Sequence, residues 1–116
     1  MTSPSVAEGV KLFNAGKYFT AHEIWESCWH KSEGIQKERL QGLIQAAVAL
    51  HHFSNNNQTG ADYLLEKATI RLKNGFPNGV SGDSEVFLQE LRAYISEAAP
   101  TGKSRRAPSI APSKSG

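Results

Sequence analysis

Apolar residues return along this chain at roughly three- to four-residue spacing, and five stretches carry that rhythm far enough to predict α-helices. The first runs from about Pro4 to Ala15 with Val6, Val10 and Phe13 on its apolar face, Ser3 as N-cap, Pro4 at the first helical position and Gly16 as the stop. The second spans about Tyr18 to Lys31, with Tyr18, Ala21, Trp25, Cys28 and Trp29 on one side; Thr20 and Glu23 match a capping box inside it. The third, about Gln36 to Ser54, carries a wide stripe of Leu40, Leu43, Ile44, Ala47, Val48 and Leu50 and ends in the polar turn Asn55-Asn56-Asn57. A fourth begins near Thr59, with Thr59 and Asp62 as its cap. It presents Ala61, Leu64, Leu65, Ala68 and Leu72 and stops at Asn74-Gly75. The glycines from Gly75 to Gly82, with Pro77 among them, require a loop. The fifth starts at Asp83, offers Phe87, Leu88, Leu91, Tyr94, Ile95 and Ala98, and is ended by Pro100. No stretch alternates with the period of a strand. The pattern predicts an all-α, compact bundle of about five helices over residues 1–99, followed by a disordered basic tail over 100–116.

Composition agrees with the pattern and narrows it. With 116 residues, 39% of them hydrophobic, the chain is long enough for one core without staples. Its single cysteine, Cys28, excludes an internal disulfide, and with no leader-like segment at its start the cytoplasm is the expected compartment. The longest apolar run, Ala46 to Leu50, is far too short to span a bilayer, so no membrane is expected. The net charge of +2 is unevenly placed. Residues 1–99 hold nine Lys and Arg against eleven Asp and Glu, whereas the tail holds Lys103, Arg105, Arg106 and Lys114 and no acid. The bundle is therefore mildly acidic and poorly suited to nucleic acid, which only the tail could attract, weakly. Ile110 is the tail's one large apolar side chain, and the tail is expected to have nothing to bury.

Candidate chemistry gathers on the second and third helices. His22 and Glu26 stand one turn apart on the edge of the Tyr18/Trp25/Trp29 face, a spacing at which an imidazole and a carboxylate can share a metal or form an acid/base pair. An ordinary His–Glu helix pair, with Glu23 near the helix start, explains the same residues. On the third helix Gln41, Gln45 and His52 fall within about 40° of one another, while His51 falls inside the apolar stripe as a core imidazole bonded to a backbone carbonyl. Folding the two helices about a Ser32–Gly34 turn sets Glu26 opposite Gln41 and His22 opposite Gln45, with His52 about 10 Å further along. A polar ladder then runs along the seam, serving either a ligand or helix pairing alone. Cys28 and the two tryptophans read as core residues, and Asp62 and Asp83 as helix caps.

The combined string from Phe13-Asn14-Ala15-Gly16-Lys17-Tyr18 through Ala21-His22-Glu23-Ile24-Trp25-Glu26 and Trp29, then Leu40-Gln41-Gly42-Leu43-Ile44-Gln45, His51-His52 and Gly60-Ala61, resembles the bacterial and archaeal family called domain of unknown function 309. The likeness covers roughly residues 9–73. It implies a compact helical bundle and, by position, signature residues His22, Glu23, Trp25, Glu26, Trp29, Gln41, Gly42, Gln45, His52 and Gly60. Asn55-Asn56-Asn57 departs from the Gly-Asn turn commoner in relatives. Some descriptions of the family name predicted metal-dependent hydrolases, with no activity established.

Two functions follow as expectations. The first is a module binding a small molecule or a protein partner through His22, Trp25, Glu26, Gln41, Gln45 and His52. The alternative is a hydrolase with a divalent metal on His22 and Glu26 and with Glu23 or a bound water in acid/base work.

Overall fold

The computed structural model describes residues 4–96 and 107–112. Its helices are α1 (Val6–Asn14), α2 (Tyr18–His30), α3 (Gly34–Ser54), α4 (Gln58–Leu72) and α5 (Ser84–Ser96), with two short strands, β1 (Val80–Ser81) and β2 (Ala111–Pro112). Short connections make α2–α3 and α3–α4 antiparallel hairpins, and α3 lies centrally, packed against α2 on one side and α4 on the other. α1 covers α2, and α5 covers α4. Among the described residues no helix is long and apolar enough to cross a membrane.

The predicted apolar faces form one core. Val10, Phe13, Ala21, Trp25, Leu40, Leu43, Leu50, Ala61, Leu72, Leu91 and Ile95 are all but sealed from solvent. Ala46 and Ala49, outside the predicted stripe of α3, are sealed as well, because neighbours on more than one side enclose the central helix. Phe13 is the aromatic hub, its ring 5.2 Å from Tyr18, 5.8 Å from Trp25 and 5.9 Å from Phe87. Two glycines let helices approach this closely. A Cβ on Gly9 would run into the Trp25 indole, and one on Gly42 would stand 2.7 Å from Leu72 Cγ.

The helix ends differ from expectation in instructive ways. Ser5, not Ser3, caps α1, its hydroxyl accepting from the Glu8 N–H, and Pro4 lies before the helix. α2 begins at Tyr18 with no side-chain cap, so Thr20 and Glu23 form no capping box. α3 starts at Gly34, two residues earlier than the apolar spacing suggests. Asn57 caps α4 by accepting from the Gly60 N–H, while Asp62 accepts from the Gln58 side chain and caps nothing. Asp83 does cap α5, accepting from the Glu85 and Val86 N–H groups. Asn56 stands at φ 63°, the left-handed conformation that a glycine would otherwise supply in this turn.

Two departures come from long-range contacts. The 75–82 loop contains β1, and α3 pins its neighbourhood: Asn78 N–H donates to Gln36 Oε1 at 2.8 Å, and Arg39 donates to the Asn74 and Phe76 carbonyls. In the tail, Ile110 is 4% exposed and belongs to the core, and Ala111–Pro112 pair antiparallel with Ser81–Val80. The expectation that residues 100–116 have nothing to bury is corrected there. Ser3, Ala98 and Pro100, with residues 97–106 and 113–116, lie outside the described residues.

Candidate functional site

The α2–α3 seam carries the expected ladder only in part. His22 Nδ1 lies 3.0 Å from the Phe19 carbonyl, which can only accept, so Nδ1 carries the proton. Nε2 is then bare in the neutral ring and faces Glu26 Oε2 at 3.8 Å. That contact becomes an ion pair only when the imidazole takes a second proton. Glu26, whose side chain is 51% exposed, keeps most of its hydration, which leaves such a pair little net strength. Glu23 is exposed on the outer side of α2.

One turn further along, α2, α3 and α4 leave a solvent-open groove of about 490 Å³. It brings Glu26 and Gln41 to one wall system, as the antiparallel register requires, and adds Trp29, His30, Lys37, Glu38 and Arg71. Lys37 Nζ sits 4.2 Å from the centre of the Trp29 ring, and Arg71 reaches from α4 to Glu38 at 2.6 Å. The groove thus offers an aromatic face, two carboxylates and three basic groups within reach of one occupant.

The remaining ladder residues are elsewhere. Trp25 was expected beside the ligand, but its side chain is fully buried in the core and its indole N–H donates to the Val6 carbonyl at 3.0 Å. Trp29, one turn on, takes the groove position, while α1 lies against Trp25 through Val6 and Gly9. Gln45 is half-buried, and its Oε1 is shut off from solvent with no hydrogen-bond partner among the described residues. His52 is held at the α3–α4 turn, its Nδ1 accepting from Asn57 Nδ2 at 3.3 Å. His51, expected in the core on a backbone carbonyl, is only partly buried; its Nε2 lies 3.3 Å from Asn55 Nδ2 and its ring 5.3 Å from Phe19. The last turn of α3 lies beside the first turn of α2, where the apolar stripe has already run out. Phe19 also lies against the His22 ring, with centroids 5.0 Å apart.

A catalytic zinc needs about three protein donors and an open position. Among the described residues no group of three His, Cys, Asp or Glu side chains converges, and His22 with Glu26 supplies two. His22 and Glu26 alone do not complete such a site. Cys28 offers no nucleophile either: burial pushes its thiol above the ordinary range, and Sγ points at the Pro4 carbonyl, 3.6 Å away.

Spacing alone did not reveal the groove's basic side. Lys37 and Arg71 come from different helices at positions where charged residues are usually solvated, and only the α3–α4 packing brings Arg71 across. Trp29 follows Glu26 by three residues on the same helix, a spacing that equally suits a core anchor.

Comparison with known proteins agrees with this fold. The crystal structure of a conserved hypothetical protein from Thermus thermophilus matches with a TM-score of 0.66 and 33% identity, covering 82% of this chain and 99% of that one. An uncharacterized protein of Aquifex aeolicus (strain VF5) is 35% identical over 96 residues, which is 81% of this chain and 27% of that protein. The uncharacterized protein YpuF of Bacillus subtilis (strain 168) is 41% identical over 49 residues, covering 41% of this chain and 28% of its own length. The matched region thus makes up about a quarter of each of these two longer relatives. Residues 6–64 match the family model described as domain of unknown function (DUF309), and the chain belongs to that family.

Proposed function

We propose that this protein is a cytoplasmic binding module whose α2–α3–α4 groove accepts a small polar molecule or a short segment of a protein partner. The observation that supports the reading is the meeting of Glu26 and Gln41 with the Trp29 face and with Lys37 and Arg71 in one open groove. Carboxylates and basic groups set on either side of an indole suit an occupant that itself carries both signs of charge, such as a peptide or an amino-acid derivative. Screening a library of dipeptides and amino-acid derivatives by NMR tests it. Binders should move the Trp29 indole N–H and the Gln41 amide signals, and Gln41→Leu should weaken them by about tenfold, the worth of one lost hydrogen bond. A library with binders only at other surfaces, or with none, removes the reading.

One observation favours the metal-assisted hydrolase: the bare Nε2 of His22 already faces a carboxylate one turn away. With His22 and Glu26 as ligands it requires a third donor from water or substrate, and Glu23 would have to act from an exposed position. Zinc, manganese or nickel titrated into the protein should then raise Tm, and His22→Ala should abolish the rise. An unchanged Tm with all three ions sinks this alternative.

A further inference from the structure

Residues 107–112 are held against the bundle by backbone hydrogen bonds of the kind used in peptide recognition, with Ile110 seated in the core. The side-chain amide of Asn14, at the end of α1, makes two hydrogen bonds to one residue. Its Nδ2 donates to the Ile110 carbonyl at 2.7 Å, and its Oδ1 accepts from the Ile110 N–H at 2.9 Å. A neighbouring strand offers a backbone the same donor–acceptor pair. Ala111 and Pro112 continue antiparallel to Ser81 and Val80. Burial alternates along the segment, with Pro108 and Ile110 buried and Ser109 exposed between them, as for an extended peptide laid on an edge. Beside Ser109 a groove of about 290 Å³ remains open, walled by Phe76, Val86 and Phe87 together with Asp83 and Glu90. A serine side chain leaves that groove unfilled.

We propose that the crease between Asn14, β1 and the start of α5 is a peptide-docking site of the strand-addition kind, occupied by the chain's own residues 107–112 as a detachable ligand. Asn14 reads backbone groups, the core reads an apolar side chain at the Ile110 place, and a buried proline two residues earlier sets the extended approach. Specificity is open at one place. A segment with a larger apolar residue where this chain has Ser109 would cover Phe76 and Val86 and would outcompete the resident one. Residues 107–112 are covalently attached, so any such competitor must overcome a high local concentration, and exchange is therefore gated by release of the resident segment.

The full chain with Ile110→Asp loses the apolar anchor while keeping the bundle side of the crease. A dye-labelled peptide of residues 107–112, followed by fluorescence anisotropy, should bind this variant at least about tenfold more tightly than it binds the unaltered chain, where the resident segment competes. Adding Asn14→Ala should weaken that binding by about tenfold or more, through the two lost hydrogen bonds. A peptide with the Ser109→Leu change should bind more tightly than the original. Absence of binding by an Ile110→Asp chain of unchanged circular dichroism, or equal binding by the unaltered chain, overturns the proposal. If Ile110→Asp loses its helical signal, hydrogen exchange on the unaltered chain decides. The Ile110 amide should exchange at least about a hundredfold faster than that of Leu43, through local release of the segment. Equal protection of the two amides would make the segment an inseparable part of the core and overturn the idea.

Discussion

Single residues set the limits of this bundle where backbones approach or turn. Gly9 is in contact with the Trp25 indole, so Gly9→Ala forces a side chain fully buried in the core to move. It should destabilise the protein by about 1–3 kcal/mol, the usual range for overpacking, measurable as a lower midpoint in urea. Asn56 bears the left-handed turn between α3 and α4. Asn56→Ala should cost about 1 kcal/mol, while Asn56→Gly should be close to neutral, because the strain belongs to a Cβ that asparagine tolerates better than alanine. Burial raises the pKa of Cys28 and, with the nearby Tyr94, that of Tyr18. The folded protein therefore holds both protons to higher pH than the unfolded chain does. Their contribution to stability is full below the ordinary thiol and phenol values and is lost as pH rises through the raised ones, so these two groups lower stability on the alkaline side. The same shift predicts that iodoacetamide at pH 8 labels Cys28 more slowly in the folded protein than in urea.

Elements were legible in proportion to how locally they are determined. All five helices follow from apolar spacing, and their centres need no correction. Their ends moved where a side chain several residues away settled the matter: Asn57 in place of Thr59 for α4, and Ser5 in place of Ser3 for α1. Several residues near each end could cap, and the choice depends on which hydroxyl or amide reaches an unpaired N–H once the helix is packed. Ser5→Ala and Asn57→Ala should each lower stability by about 0.5–2 kcal/mol, whereas Thr59→Ala should change it by less than about 0.5 kcal/mol. The candidate site shows the same division. The register of the α2–α3 hairpin follows from the short turn, and with it the meeting of Glu26 and Gln41. Which tryptophan faces the groove does not follow, because that depends on where α1 lies across α2.

At the scale of the whole molecule, the notable contact is the one joining residues 96 positions apart in the chain, Asn14 and Ile110. Ile110 is buried and belongs to the core cluster. Ile110→Ala should therefore lower stability by about 2–3 kcal/mol, where an unattached tail would show no change. The same contact ties α1 to the segment whose strand β2 pairs with β1. The net charge of +2 also resolves at this scale: the bundle is mildly acidic and the excess of basic residues lies beyond it.

The amino-acid sequence by itself determined the all-α class, the five helices, most residues of the core and the polar edge of the α2–α3 seam. Each of these rests on interactions within a few residues, or on the repeating choice between apolar and polar side chains that hydrophobic burial enforces. Only the tertiary structure decided that Trp25 is sealed and Trp29 is not, that Arg71 joins the groove from α4, that His51 and His52 do not converge with His22 and Glu26 on one point, and that Ile110 returns to the core. Those outcomes depend on which surfaces meet across the chain. A single buried isoleucine in a polar, proline-containing stretch carries no periodic signal; its place exists only once Asn14 and β1 have formed the surface that receives it.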